Sequence, residues 1–198
     1  MTLANPGHDA EADTHLATLA NGVRVLTLRQ PHLATATAHE RPAESGIGHV
    51  VEHMLFKGTA RRDAQRINLD AERLGAEVNA HTDKDHTALH MRGLAAHAAD
   101  FVLQLGELVR EPTFPADELE RERQVLLQEH AEDSDDPVAT GFKLFDRSCF
   151  GTHPAAQPVI GPRSNVERFT REDLLGWVRR QYSGANVVVG MAGPVDPE

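Results

Sequence analysis

The chain of 198 residues is poor in cysteine and aromatic residues, and it has no long apolar run. Its only cysteine, Cys149, cannot form an intrachain disulfide and excludes a zinc site built from several thiolates. We expect it to be a small buried side chain near a helix end rather than a nucleophile. No apolar run approaches the roughly 20 residues needed to cross a bilayer, so we expect no membrane partner.

Positive charge is also scarce. Lys and Arg number 20 against 30 Asp and Glu, which gives a formal net charge of -10. Nucleic-acid binding requires clustered cations facing the phosphates, so this balance argues against a nucleic acid as the main partner. An unfolded protein or a basic peptide suits such a surface better.

The first 15 residues lack the features of a secretory signal. They carry three acidic groups, no Lys or Arg and no apolar stretch. We predict a disordered leader over residues 1–15, a folded domain over residues 16–198 and a cytoplasmic location.

Hydrophobic periodicity predicts an α+β fold that mixes helices and hairpins. One β-hairpin is indicated within residues 16–29 around Asn21-Gly22, and another around Asp83-Lys84-Asp85. The predicted helices cover about 49–57, 64–74, 95–110 and 116–131. The last is broken over residues 133–137.

Two features are predicted near the end of the chain. Thr170 and Asp173 have the spacing of a capping box, which opens a further helix. Residues 186–193 are a mostly apolar run, which favours a buried strand.

Residues 49–53 read His-Val-Val-Glu-His, the H-x-x-E-H pattern. Positions four apart on a helix share a face, so both imidazoles can reach one ion at about 2.1 Å. Glu52 lies on nearly the same face. One helical turn therefore provides two metal ligands and a base, while a catalytic zinc ion needs a third protein ligand from elsewhere.

The highly charged helix predicted over 116–131 contains candidates for that ligand. Glu122 and Glu129 are seven residues apart and share a face, so Glu129 is the predicted third ligand and Glu122 a supporting carboxylate. His130 is a chemically reasonable rival, but it points about 100° away around the helix. A solvated, salt-bridged surface is the alternative interpretation of both glutamates.

Twelve histidines are many for a chain of this length. Taken singly, a histidine is more often a structural or surface residue than a ligand. The remaining candidates outside the motif are interpreted as ordinary polar residues: His81, His86, His90, His97 and His153.

These motifs together resemble the pitrilysin, insulinase and mitochondrial processing peptidase family of zinc proteases. The resemblance runs from Leu19 to Asp196 in the family's order. Its segments read GIGHVVEHMLFKGT, LGAEVNAHTDKDHT, ERERQVLLQE, HPAAQPVIGP and TREDLLGWVRRQYSGANVVVGMAG. The resemblance implies a mixed, largely antiparallel sheet covered by helices.

The resemblance also implies roles for individual residues. One zinc ion per chain would be held by His49, His53 and Glu129. Glu52 would be the general base that activates a water molecule to cut a peptide bond, and Glu122 would be the family's supporting acid.

A substrate-binding role follows for one predicted strand. The resemblance implies that Asn79 and Ala80 lie on an edge strand that pairs with an extended peptide. Such pairing recognises the backbone rather than the sequence of the substrate, so one site accepts many peptides.

Two features depart from the family pattern. A core strand ending in a Gly-Ser-Arg-like segment precedes the zinc helix in the family, whereas here residues 34–38 run almost directly into HERPAESG. The core strand is therefore shortened or missing, and Glu40 and Arg41 remain from its far end. Family members also continue beyond the position of Glu198 with a second half, so we expect a second peptidase half as partner.

Two functions are therefore considered. The first is a zinc endopeptidase domain that cleaves extended peptides or unfolded protein segments. The second is a catalytically silent or incomplete subunit that serves as a binding or scaffold partner for a second half. The intact His-Val-Val-Glu-His motif and Glu129 favour the first, and the missing strand favours the second.

Overall fold

The computed structural model describes residues 14–18, 24–28, 39–184 and 186–193. It contains two compact units, one made of Met1–His32 with Val189–Glu198 and the other of Leu33–Val188. The Asn21-Gly22 turn, the segment over 34–38 and almost all of the predicted leader lie outside the described residues.

The first unit contains an antiparallel hairpin. Strand β1 (Thr14–Thr18) pairs with β2 (Arg24–Leu28), and Leu16 lies opposite Leu26. This is the first predicted hairpin, and β1 overlaps the last two residues of the predicted leader.

The second unit contains seven helices and a hairpin among its described residues. They are α1 (Ile47–Leu55), α2 (Ala64–Arg73), β3 (Glu77–Thr82), β4 (Thr87–Arg92), α3 (Ala98–Arg110), α4 (Ala116–Asp135), α5 (Pro137–Phe150), α6 (Arg163–Val166) and α7 (Arg171–Gln181). Strands β3 and β4 are antiparallel, and Asn79 lies opposite His90. The α+β class with antiparallel pairing is confirmed. None of the described helices is both long and apolar enough to span a membrane.

The core of the second unit is built around α1, which contacts α4, α6, α7 and β3. Val51, Met54 and Leu55 on α1 are completely buried, as are Leu174 and Trp177 on α7. Each large side chain removed from water stabilises the fold by roughly 1.5–3 kcal/mol. The predicted capping box of α7 is present, because Thr170 Oγ1 accepts from Asp173 N and the Asp173 carboxylate accepts from Thr170 N.

Two loops meet closely where α1 begins. Gly46 has φ of 93°, and a Cβ atom at this position would lie 2.8 Å from the carbonyl oxygen of Ile160. Gly161 also has a positive φ, of 69°, so both positions favour glycine. The amide of Asn165 donates to the carbonyl of Ser45 over 3.0 Å. These contacts fix the start of α1 against the loop that precedes α6.

The side chain of Glu40 caps the same end of α1. Its carboxylate accepts from Gly46 N at 2.7 Å and from Gly48 N at 2.9 Å, and the residue is only 1% exposed. Burial raises the pKa of Glu40 to about 7, although the two backbone hydrogen bonds act in the opposite direction. Glu40, which precedes α1, thus supplies the acceptor for the first backbone amides of that helix.

Two predictions from the sequence are wrong: the strand over residues 186–193 and the burial of Cys149. Residues 186–193 form no strand, and Val187, Val188 and Val189 are 39%, 49% and 73% exposed. A strand requires a neighbour that pairs with its backbone, and no described strand pairs with this segment. Cys149 is exposed rather than buried, because α5, which carries it, buries none of its residues.

We predict that replacing Glu40 by Gln changes how stability depends on pH. The carboxyl group has a pKa of 4.5 before folding and about 7 after it. As pH rises between these values the unfolded chain loses this proton while the folded chain keeps it, so wild-type stability falls.

The free energy of unfolding of Glu40→Gln relative to wild type should therefore increase by about 3 kcal/mol between pH 4.5 and 8, at 1.36 kcal/mol per pKa unit. Urea unfolding at several pH values measures this difference. The exposed Glu172→Gln is the control and should show no such trend. A constant difference for Glu40→Gln would contradict the assignment.

Candidate metal centre

Helix α1 presents two imidazoles on the side opposite its buried face. Positions 50, 51, 54 and 55 point into the core, which leaves His49 and His53 side by side at half-buried positions. Their ring centroids are 4.7 Å apart and the rings are nearly perpendicular, at 77°. The four-residue spacing of the motif therefore places both rings over one point.

Helix α4 brings a carboxylate to the same point. Leu119 and Leu126 bury one face of α4, and Glu129 extends toward α1. Glu129 Oε2 lies 3.8 Å from His49 Nε2 and 3.6 Å from His53 Nε2. The structure thus groups the three predicted ligands, contributed by two helices.

These three atoms fit a zinc ion. Ligands placed tetrahedrally at about 2.1 Å from zinc lie about 3.4 Å apart, close to the distances from Glu129 to the two rings. Burial lowers the pKa of His49 to about 4, with smaller contributions from His53 and His130. His49 is then neutral at physiological pH, as a metal-ligating imidazole must be.

Glu122 orients the His53 ring by contacting Nδ1, while Nε2 faces Glu129. Its Oε2 lies 3.2 Å from His53 Nδ1, and its Oε1 lies 2.6 Å from Lys57 Nζ. Glu122 is only 8% exposed, so the ammonium group of Lys57 offsets much of the cost of burying the carboxylate. A hydrogen bond from Nδ1–H to Glu122 leaves the Nε2 lone pair directed at the metal position.

Lys57 is the residue that the sequence analysis missed. It follows His53 by four residues, the same interval that separates the two histidines. This spacing places Lys57 on the same side of the chain as the histidines and could have indicated its position from the sequence. His49 has no equivalent of Glu122: its Nδ1 is buried without a hydrogen-bond partner in the described part of the chain. Packing alone holds that ring.

Glu52 lies beside this group but is not part of it. Its Oε2 is buried and makes no hydrogen bond to any described residue. The charge of Glu52 also reaches Tyr182, whose pKa is raised first by burial and then by that charge. An unpaired buried carboxylate oxygen is able to accept a proton from water at this position.

A cavity of about 220 Å³ connects the centre to strand β3. Among the described residues β3 pairs only with β4, and none of them pairs with its other edge. The cavity brings the residues predicted to bind substrate together with Glu52. It is lined by Glu52, His53, Phe56, Lys57, Asn79, Ala80 and Glu122.

The rival ligand points elsewhere. His130 Nε2 lies 2.7 Å from the carbonyl oxygen of Gly161, so its ring contacts the loop before α6. The group of possible ligands around α1 consists of His49, His53 and Glu129.

Comparisons with known proteins find similar chains. The profile of the family described as Insulinase (Peptidase family M16) matches residues 35–163. An uncharacterized zinc protease of Rickettsia bellii is 30% identical over 193 residues, covering 93% of this chain and 47% of the relative. A probable mitochondrial-processing peptidase subunit beta of Schizosaccharomyces pombe is 30% identical over 194 residues, covering 93% of this chain and 42% of the relative.

A solved structure has the same fold. The peptidase M16 inactive domain from Pseudomonas fluorescens superimposes with a TM-score of 0.67 at 25% identity, covering 83% of this chain and 42% of that one. The present chain spans about half the length of the curated relatives that it matches.

We predict that the metal depends on the grouped residues. Wild-type protein should retain about one zinc ion per chain after desalting, and His53→Ala should lose most of it because two ligands cannot complete the site. Glu129→Gln should weaken binding, since an amide oxygen is a poorer ligand. Elemental analysis measures the zinc-to-protein ratio.

The control is His97→Ala, which removes a half-buried histidine outside the group. It should leave zinc content unchanged. Full zinc occupancy in His53→Ala would show that the ligand assignment is wrong.

Proposed function

The chain belongs to the insulinase family of peptidases, family M16, and on that premise we propose that it is a zinc endopeptidase domain that cleaves extended peptides or unfolded protein segments. The observation that carries the proposal is the meeting of His49, His53 and Glu129 beside the unpaired oxygen of Glu52. Family membership supports a zinc metallopeptidase-type domain. The roles of the individual residues are proposed from their positions in the structure.

Each residue has a chemical task in this proposal. His49, His53 and Glu129 hold zinc, and Glu122 with Lys57 keeps the His53 ring in its ligating tautomer. A bound zinc ion acidifies water and polarises a carbonyl group. Glu52 accepts the proton of the attacking water and delivers it to the leaving amine.

The substrate is proposed to add as a strand to the open edge of β3. Asn79 and Ala80 lie on that strand and line the same cavity as Glu52, so a peptide paired with β3 would pass the base. Backbone pairing needs an unfolded segment, which accounts for the proposed substrate class.

A second candidate is a catalytically silent partner subunit. One solved relative is described as an inactive domain, and none of the strands that the structure describes pairs with the exposed residues 187–189 of this chain. The presence of every motif residue at the candidate centre favours the active domain. Peptidase activity of the wild-type chain, compared with that of its Glu52→Gln variant, distinguishes the two functions.

A second peptidase half is the proposed partner. The matched relatives are about twice as long as this chain, and one of them is named as a subunit. Helix α5 exposes Phe142 and Phe145 by 66% and 62%, an apolar surface that a second half would cover. Closure over the cavity would also exclude water from the substrate.

We predict that Glu52→Gln keeps zinc and loses peptidase activity by several orders of magnitude, because the base and the metal-activated water act as a unit. Cleavage of an unstructured fluorogenic peptide measures activity, and elemental analysis measures zinc. Glu120→Gln, at an exposed position on α4, is the control and should resemble wild type. Unchanged turnover in Glu52→Gln would refute the catalytic role, and a wild-type chain that is inactive in every assembly would favour the silent subunit.

We also predict that the chain alone cleaves slowly and that a matching C-terminal half of a family member raises the rate strongly. The peptide on β3 stays open to water on its other side, so little binding energy orients the scissile bond. Turnover measured with and without the added half tests this. A monodisperse monomer that turns over peptides at about 10 per second would contradict it.

A further inference from the structure

The β3–β4 hairpin carries a second pair of facing imidazoles that takes no part in the centre on α1. His81 lies near the end of β3, and His86 closes the turn before β4. Their Nε2 atoms are 3.2 Å apart, and their ring centroids are 5.2 Å apart. Histidines assigned to separate polar positions from the sequence are therefore brought into contact by the strand register.

The neighbouring carboxylate determines the tautomer of one ring. His86 Nδ1 lies 2.8 Å from Asp85 Oδ1, and this hydrogen bond lowers the pKa of Asp85, which keeps the carboxylate ionised. Nδ1–H of His86 therefore donates to Asp85, and the lone pair of Nε2 is directed at His81. A carboxylate behind a histidine is the arrangement that orients metal ligands in proteins.

The distance between the two rings has two physical explanations. In one, Nε2–H of His81 donates to Nε2 of His86. In the other, both nitrogens direct lone pairs at one ion, since two ligands at about 2.1 Å and a tetrahedral angle lie about 3.4 Å apart. The second explanation gives both rings and Asp85 a shared role.

The turn that carries His86 is held in place. Asp83 N donates to His86 O over 2.8 Å. The ammonium group of Lys84 contacts the Asp146 carboxylate and the carbonyl oxygens of Ala155 and Gln157, each at 2.8 Å. A ligand pair on such an anchored turn loses little conformational entropy on binding an ion.

We propose that His81 and His86 form a second metal site, for a divalent transition-metal ion such as Zn²⁺ or Cu²⁺, with Asp85 positioning His86. Paired imidazoles favour these ions over Mg²⁺ and Ca²⁺, which prefer oxygen ligands. Asp83, Asp85 and the His86 ring also offer ligand atoms within 4.8 Å of one another on the same turn. With two histidines, the site binds more weakly than the centre on α1 and releases its ion on desalting.

The test titrates the full chain, already loaded with one equivalent of zinc, with further Zn²⁺ in a calorimeter. Wild-type protein should bind a second equivalent. His81→Ala and His86→Ala should each bind it at least tenfold more weakly, and Asp85→Asn should weaken it less. The matched control is His97→Ala, a half-buried histidine whose Nδ1 lies 3.5 Å from a carboxylate oxygen of Asp100; it should bind as wild type does.

Electron paramagnetic resonance of Cu²⁺ on the His53→Ala chain gives an independent readout. The spectrum should show nitrogen splitting from two imidazoles, reduced to one in the added His86→Ala background. If the His53→Ala chain does not fold, the calorimetric titration decides alone. Absence of a second equivalent, equal binding by the His81→Ala and wild-type chains, or equal weakening by His97→Ala would overturn the proposal.

Discussion

The burial of one face of α1 determines where the groups of the candidate centre lie. Val51, Met54 and Leu55 are fully buried and contact other helices, so the helix cannot rotate without exposing them. Removing three such side chains from the core would cost several kcal/mol, a large fraction of the net stability of a domain. The opposite face, with His49 and His53, is therefore fixed toward α4.

The groups around the centre depend on that fixed face. Glu129 meets both rings only because α4 packs on α1, and Glu122 meets His53 because it lies two turns earlier on the same face of α4. Lys57, just beyond the end of α1, then offsets the charge of Glu122. The start of α1 is held equally firmly, by the buried carboxylate of Glu40. A metal centre assembled from helices in this way is preorganised, which is the condition for tight binding and for catalysis.

The parts of this arrangement that depend on local spacing were predictable from the sequence. The interval between His49 and His53, the capping box at Thr170 and the β3–β4 turn each follow from contacts within a few residues. Contacts between distant elements were not predictable in the same way. The pairing of Lys57 with Glu122 and of His81 with His86 depends on packing and strand register. The apolar run over 186–193 forms no strand, and no strand in the described part of the chain pairs with it. Helix α5 was not assigned from the sequence, and its apolar side chains, among them Phe142 and Phe145, are exposed rather than buried.

We propose that α1 and α4 hold one zinc ion between His49, His53 and Glu129. Crystals grown with zinc, measured above and below the zinc absorption edge, test it most directly, because anomalous scattering locates the ion independently of any assumed ligand. We expect a strong anomalous peak about 2.0–2.2 Å from Nε2 of both histidines and from a carboxylate oxygen of Glu129. No peak at this position, or a peak whose nearest ligands exclude Glu129, would contradict it.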